Sequence, residues 1–260
     1  LNKNLVYISD LIFYKKSSKE ILELLEKNKI ENLELFIEPL DEEYTKKMIE
    51  ILEKYQFKSV SFHGPFRKCN LADMTKDSWE KTLYSYEESL KLSKKYNPHF
   101  MVLHSNEGIP SHKIDEGLKN KISEKIDLLV KLGSKYDIDI VIENVGIGKN
   151  MVFSQKEYEN LILKNNYKCL IDIGHAYLNR WNINELIRNL KNNILGFHFH
   201  NNNGLHDEHK PIFNGKFDYL PLVELIKIYT PGANIVLEYD FNENPEILFD
   251  DYNKLKELFN

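Results

Sequence analysis

Six short apolar runs in this chain end in an ionisable side chain. Val60-Ser61-Phe62 stops at His63, Met101-Val102-Leu103 at His104, and Ile140-Val141-Ile142 at Glu143. Leu170-Ile171 runs into Asp172, with His175 three residues on, Leu195-Gly196-Phe197 stops at His198, and Val236-Leu237 at Glu238. One polar residue at the end of a strand is ordinary, because element ends meet water. A whole series is not, because carboxylates gathered at one place repel one another and resist ionisation unless cations compensate. Mixed imidazole and carboxylate donors suit Zn, Mn, Fe or Co better than Ca or Mg. The set contains no thiolate, which argues against a purely structural zinc site.

The densest stretch follows the fifth of these runs and reads His198-Phe199-His200-Asn201-Asn202-Asn203-Gly204-Leu205-His206-Asp207-Glu208-His209. Alternation along a strand puts His198 and His200 on the same side. Asp207 and His209 then belong to a loop over the same mouth. Two glycines in Asn144-Val145-Gly146-Ile147-Gly148 suggest a backbone nest for an anion, with an ordinary loop as the plainer reading. Lys68, Lys113, Lys149 and Lys210 are candidate phosphate contacts among many solvated lysines.

Residues so far apart meet only if the fold gathers strand ends. Strands are expected at Leu5–Ile8, Leu33–Ile37, Val60–His63, Phe100–His104, Ile138–Glu143, Cys169–Asp172, Ile194–His200 and Ile235–Glu238. Amphipathic stretches separate them. Ser17 with Glu20, Asp77 with Glu80, Ser154 with Glu157, and Asn182 with Glu185 have capping-box spacing, and Asn244 before Pro245 reads as a cap with proline at the first helical position. Strict strand–helix alternation implies a parallel sheet. Eight such units in 260 residues fit an α/β fold of the (β/α)8 TIM-barrel type, one domain spanning residues 1–260. In such a barrel the carboxyl ends of all strands open on one face, which carries the active site.

Composition narrows the partners. The chain is 42% hydrophobic with a net charge of -5 and few arginines (Arg67, Arg180 and Arg188), so a nucleic-acid partner is not expected. Cys69 and Cys169 are too few and too far apart for a disulfide scaffold. No apolar stretch reads as a signal peptide or a membrane span, so a cytoplasmic location and no membrane partner are expected.

These motifs resemble those of the xylose isomerase-like barrel superfamily, which includes sugar and sugar-phosphate isomerases and epimerases and the endonuclease IV enzymes. The resemblance covers nearly the whole chain and is sharpest at Ile142-Glu143-Asn144, Asp172-Ile173-Gly174-His175, His198-Phe199-His200-Asn201, Asp207-Glu208-His209 and Gly215-Lys216-Phe217-Asp218. The ketose epimerase branch implies one metal held by Glu143, Asp172, His198 and Glu238. The endonuclease IV branch implies a three-metal cluster on His63, His104, Glu143, Asp172, His175, His198, Asp207, His209 and Glu238. One to three divalent ions are therefore expected, and the resemblance also admits a homo-oligomer. Two departures separate the branches. The epimerases carry an arginine where this chain has Asp207-Glu208-His209, and the endonucleases carry DNA-gripping loops where this chain has Ser9-Asp10-Leu11-Ile12-Phe13-Tyr14 and Glu38-Pro39-Leu40-Asp41-Glu42.

Two chemistries follow. In an isomerase or epimerase acting on a small sugar or sugar phosphate, the metal polarises a carbonyl and its neighbouring hydroxyl, and Glu143 and Glu238 exchange the proton through an enediolate. His175 then binds a substrate hydroxyl or a second ion, and Glu34, Glu38, Phe66, Trp181 and His200 are candidate substrate contacts or supports. In the alternative, a phosphodiester hydrolase, two or three ions generate hydroxide and stabilise the leaving oxygen.

Overall fold

The computed structural model describes residues 3–107 and 114–260. Eight parallel strands close on themselves in chain order: β1 (Val6–Ser9), β2 (Asn32–Phe36), β3 (Ser59–His63), β4 (Met101–Leu103), β5 (Ile140–Glu143), β6 (Lys168–Asp172), β7 (Ile194–Phe199) and β8 (Asn234–Leu237), with β8 pairing back onto β1. Around them run α1 (Ser18–Asn28), α2 (Glu42–Lys54), α3 (Lys76–Lys94), α4 (Glu116–Lys135), α5 (Gln155–Asn165), α6 (Ile173–Leu178), α7 (Ile183–Leu190), α8 (Leu220–Tyr229) and α9 (Pro245–Phe259). The expected (β/α)8 barrel is the fold, with each strand where alternation placed it and ends shifted by a residue or two.

Period-two alternation sorts every strand into two faces. Val6 and Ile8, Leu33 and Leu35, Val60 and Phe62, Met101 and Leu103, Ile140 and Ile142, Cys169 and Ile171, Phe197 and Phe199, and Ile235 and Leu237 all belong to the core packed under the helices. The opposite set fills the barrel. On β4–β6 it is apolar, with Phe100, Val102, Val141 and Leu170 forming their own cluster. On β2, β3 and β7 it is polar, with buried Glu34, Ser61 and His198. Each strand therefore has two buried faces and reads as a nearly unbroken apolar run, while one half of the interior carries a hydrogen-bonded polar lining.

The helices begin where the caps allow. Ser17 and Ser154 form full capping boxes with Glu20 and Glu157, Asn182 accepts from the Glu185 amide, and Asn244 precedes Pro245 as expected. The Asp77–Glu80 pairing is not a cap: Thr75 caps α3 through the Ser78 amide, and Asp77 lies in the first turn, where its charge suits the helix dipole. Three short elements escape the periodicity: the single turns Asp10–Phe13 after β1 and Gly148–Asn150 after β5, and α6, a short helix directly after β6. All are too short to show a helical period.

Asp10 holds the first of these turns. Its carboxylate accepts from the Phe36 amide (3.0 Å) and the Tyr44 hydroxyl (2.6 Å), pinning the β1 loop to the end of β2. Burial is the largest influence on this carboxyl and raises it from 3.8 to about 6. A carboxyl raised in the folded state adds stability that is complete below the unfolded value and lost as pH rises through the folded one. The stability difference between wild type and Asp10→Asn is therefore expected to shift against wild type by about 2–3 kcal/mol between pH 4 and pH 7. Urea midpoints of both proteins across that range check this, and a pH-independent difference would contradict it.

Candidate metal centre

At the carboxyl ends of the strands lies a cavity of about 380 Å³ lined by His63, His104, Glu143, His175, Asp207, His209 and Glu238. Leu11, Phe36, Phe66, Val145 and Ile147 form its apolar walls. The size is that of a small-molecule site. Asp172 and His198 lie beneath this floor, fully buried. All nine residues expected as ligands thus converge.

Their donor atoms fall into overlapping groups. The central one surrounds His198, whose Nδ1 lies 3.3 Å from Glu238, 3.6 Å from Glu143 and 3.9 Å from Asp172. That buried nitrogen has no hydrogen-bond partner. Donors around a tetrahedral ion with bonds of about 2.0 Å sit about 3.3 Å apart, so the three carboxylates lie at or somewhat beyond the distance from His198 Nδ1 that a shared divalent ion would set. The other side of the ring is fixed, because His198 Nε2 meets Glu34 at 2.7 Å and Glu34 in turn accepts from the Ser61 hydroxyl at 2.8 Å. A carboxylate behind a ligating histidine sets its tautomer and orientation.

Two further groups flank the first. His63 Nε2, His104 Nε2 and Glu143 Oε2 form a triangle with edges of 2.9, 3.0 and 3.8 Å. His175 Nε2 and His209 Nε2 lie 3.1 and 3.4 Å from the same oxygen of Asp207. Glu143 links the groups, since its second oxygen is 3.3 Å from His175 Nδ1.

Local structure explains these positions. Asp172 ends β6 and caps α6, accepting from the His175 amide at 2.6 Å. One side chain thus starts the helix that presents His175 to the cavity. His200 Nε2 donates to the Asp172 carboxylate at 2.9 Å, and its ring stacks on His209 at 3.7 Å. Gly174 makes room for that ring, because a Cβ there would lie 2.1 Å from His200 Cε1. His209 itself sits at φ 46°, an uncommon conformation for a residue with a side chain. Strain of this kind persists where a side chain is needed at a fixed place.

The carboxylates and imidazoles around the cavity shift one another strongly. For Glu143, burial alone would raise the carboxyl, but His104 and His198 outweigh it and hold it well below its ordinary range. Asp207 is likewise held far down, by His175 and His209 against burial. Burial would lower the two flanking histidines, yet Glu143 and Glu107 lift His104 to about 10, and Asp207 lifts His209 to about 9. His63 goes the other way, pushed well below its usual value by burial and by the charge of His104.

Several expected contacts lie elsewhere. Glu38 does not line the cavity: its carboxylate accepts from the Phe66 and Arg67 amides, both at 3.1 Å, and so braces the loop that carries Phe66 to the wall. Trp181 packs on Tyr158 of α5, outside the barrel mouth. His200 is fully buried behind Asp172 and cannot touch a substrate. Glu34 is no rim contact, since alternation on β2 turns it into the barrel under His198. The Gly146–Gly148 loop is not an open nest either, because the Gly148 amide donates to Asn179 Oδ1 and the Gly146 carbonyl accepts from Asn179. Lys68, Lys149 and Lys210 do not line the cavity, Lys210 being paired with Glu208 at 2.7 Å, and Lys113 lies outside the described residues. Sequence reasoning missed Glu107, which faces His104 in the cavity wall. No helix of the described residues is long and apolar enough to cross a membrane.

Comparison with known proteins agrees with this architecture. Two uncharacterized proteins of Methanocaldococcus jannaschii are similar to the chain, one 26% identical over 66% of this chain and 66% of its own length, the other 25% identical over 85% and 78%. Among solved structures, a D-tagatose 3-epimerase-like protein superposes with a TM-score of 0.79 at 22% identity, covering 98% of this chain and 95% of the other. The IOLI protein with a bound zinc atom gives 0.78 at 14% identity, covering 98% of both chains. The D-psicose 3-epimerase of Clostridium cellulolyticum H10, solved with D-tagatose, gives 0.75 at 15%, covering 97% of both. The profile of the xylose isomerase-like TIM barrels matches residues 20–258, and the chain belongs to that family.

Proposed function

We propose that this protein is a divalent-metal-dependent isomerase or epimerase of a sugar or sugar phosphate. The observation that carries the reading is the buried His198 Nδ1, partnerless and faced by Glu143, Asp172 and Glu238, directly under a cavity of small-molecule size. The family and its sugar-epimerase structural neighbours support it. A bound divalent ion supplies Lewis acidity, polarising a carbonyl and its adjacent hydroxyl so that the neighbouring C–H becomes acidic.

The chain's own residues do the rest. Glu143 and Glu238 both reach the cavity and both approach His198, so their carboxylates are placed to take a proton from the substrate carbon and return it. Glu34 keeps the His198 ring from turning. His175, on the first turn of α6, is placed to hold a substrate hydroxyl or a further ion. Leu11, Phe36 and Phe66 keep water from the reacting face.

A second reading has its own support. The groups His63–His104–Glu143 and His175–Asp207–His209 offer donors beyond those one ion needs. A phosphodiester hydrolase with two or three ions would use them all. Solvent-tritium incorporation into a panel of ketoses and their phosphates, run beside hydrolysis of a simple phosphodiester, separates the chemistries. Exchange without hydrolysis supports the isomerase, and hydrolysis without exchange overturns it. Metal analysis adds a count: Asp207→Asn is expected to lower bound metal by about one equivalent while exchange survives, because Asp207 stands apart from the His198 group. Unchanged metal content would exclude an ion at Asp207.

A further inference from the structure

Glu107 lies three residues after His104, in the loop following β4, and its carboxylate is part of the cavity wall. Its Oε1 is 2.5 Å from His104 Nδ1. The opposite ring nitrogen, Nε2, is the one aimed at Glu143 (3.0 Å) and His63 (2.9 Å). The ring is therefore held at one edge by a carboxylate and presented at the other to a candidate metal group. Glu34 does the same for His198 from inside the barrel. The two arrangements share no residue except through Glu143, which faces both histidines.

We propose that Glu107 is the positioning residue of a metal site on His63, His104 and Glu143, distinct from the site that Glu34 supports at His198. Glu107 accepts the Nδ1–H of His104, which makes Nε2 the nitrogen offered to a cation once the proton there is displaced and fixes the ring plane toward His63. A carboxylate on the far nitrogen also makes an imidazole a better donor, and loss of such a partner lowers metal affinity by about 10–100-fold. Glu34 is buried, whereas Glu107 is partly exposed, so the two sites differ in how readily their supports exchange with water. The inference rests on the metal-site part of the proposed function and not on the reaction catalysed.

The test reads metal rather than turnover. Full-length wild type, Glu107→Gln, Glu107→Asp and Glu34→Gln are stripped, titrated with Zn²⁺ against a competing chelator, and loaded with Co²⁺ for absorption spectra. Glu107→Gln is expected to weaken one class of bound ion by about 10–100-fold and leave the other class as in wild type. Glu34→Gln is expected to weaken the class that Glu107→Gln spares. Glu107→Asp, which keeps the charge on a shorter arm, is expected to recover part of the lost affinity, and the Co²⁺ band lost in Glu107→Gln should return with it. Thermal midpoints of the metal-free proteins separate a site effect from a folding defect. Identical Zn²⁺ affinities for wild type and Glu107→Gln, or equal weakening of every ion, would overturn the assignment. If metal binding follows this pattern while no ketose exchanges tritium, the isomerase reading fails and the role of Glu107 stands.

Discussion

Glu143→Gln is expected to lower turnover by about 10³–10⁴-fold and to release at least one bound ion. No other side chain is shared so widely. One carboxylate oxygen faces His63, His104 and His198, and the other faces His175. The amide keeps the shape and loses both the charge and the basicity. A bound ion would then have one fewer anionic ligand and the substrate carbon one fewer base, so metal retention and proton transfer are expected to fail together. Because Gln fills the same space, the barrel is expected to remain folded, with unchanged far-ultraviolet dichroism. Metal content of the purified variant and single-turnover kinetics on the exchanged ketose measure the two losses. A variant that kept all its metal and lost less than about tenfold in rate would remove Glu143 from both roles.

The second large effect is on pH. Without metal, His104 and His209 hold protons up to about 10 and about 9. A metal ion binds only the neutral imidazole nitrogen, so an ion entering either group at neutral pH displaces a proton. The sign is fixed by that exchange. Raised values mean the proton competes across the whole range from pH 6 to 8, and affinity rises with pH until those values are passed. With one proton displaced per ion, affinity is expected to climb about tenfold per pH unit, or about a hundredfold from pH 6 to pH 8. Chelator competition at fixed ionic strength gives the slope, and calorimetry in buffers of different ionisation heat counts the protons. An affinity that stayed level over that span would mean these histidines are not ligands.

Most of the barrel could be read from sequence because two-faced burial leaves a plain mark. Runs such as Ile140-Val141-Ile142-Glu143 are apolar on both faces until the last residue, and that residue is the one at the mouth. The candidate ligands at the strand ends were legible for the same reason, whereas His175, Asp207 and His209, beyond the strands, were marked by the family resemblance. What failed was the step from strand ends to loops. Trp181 is a candidate substrate contact by sequence, yet it packs on Tyr158 outside the barrel mouth. Glu38 looked like a rim acid, but two amides of the β3 loop claim its carboxylate. Glu34 was misplaced although its signal was present: Asn32, Glu34 and Phe36 share the inner face of β2, and Phe36 lines the cavity. Glu107 had only its spacing from His104 to mark it, and no periodicity runs through that loop. Side chains fixed by the pleat were predictable, whereas those fixed by local turns needed coordinates.

The alternation of faces has a consequence for how the protein is handled. His63, His104, Glu143, Asp172, His198 and Glu238 come from or just after six separate strands. A slip of one residue in any pairing would turn that strand's donor toward the helices. Metal uptake at these donors, if they are the ligands proposed above, would therefore demand that every one of those strands be in register at once. During refolding from denaturant, metal stoichiometry would count only chains whose seam has closed properly, while helix content would also count collapsed forms with misaligned staves. The gap between the two signals would be a direct assay of assembly fidelity, with the metal acting as a checksum on the barrel.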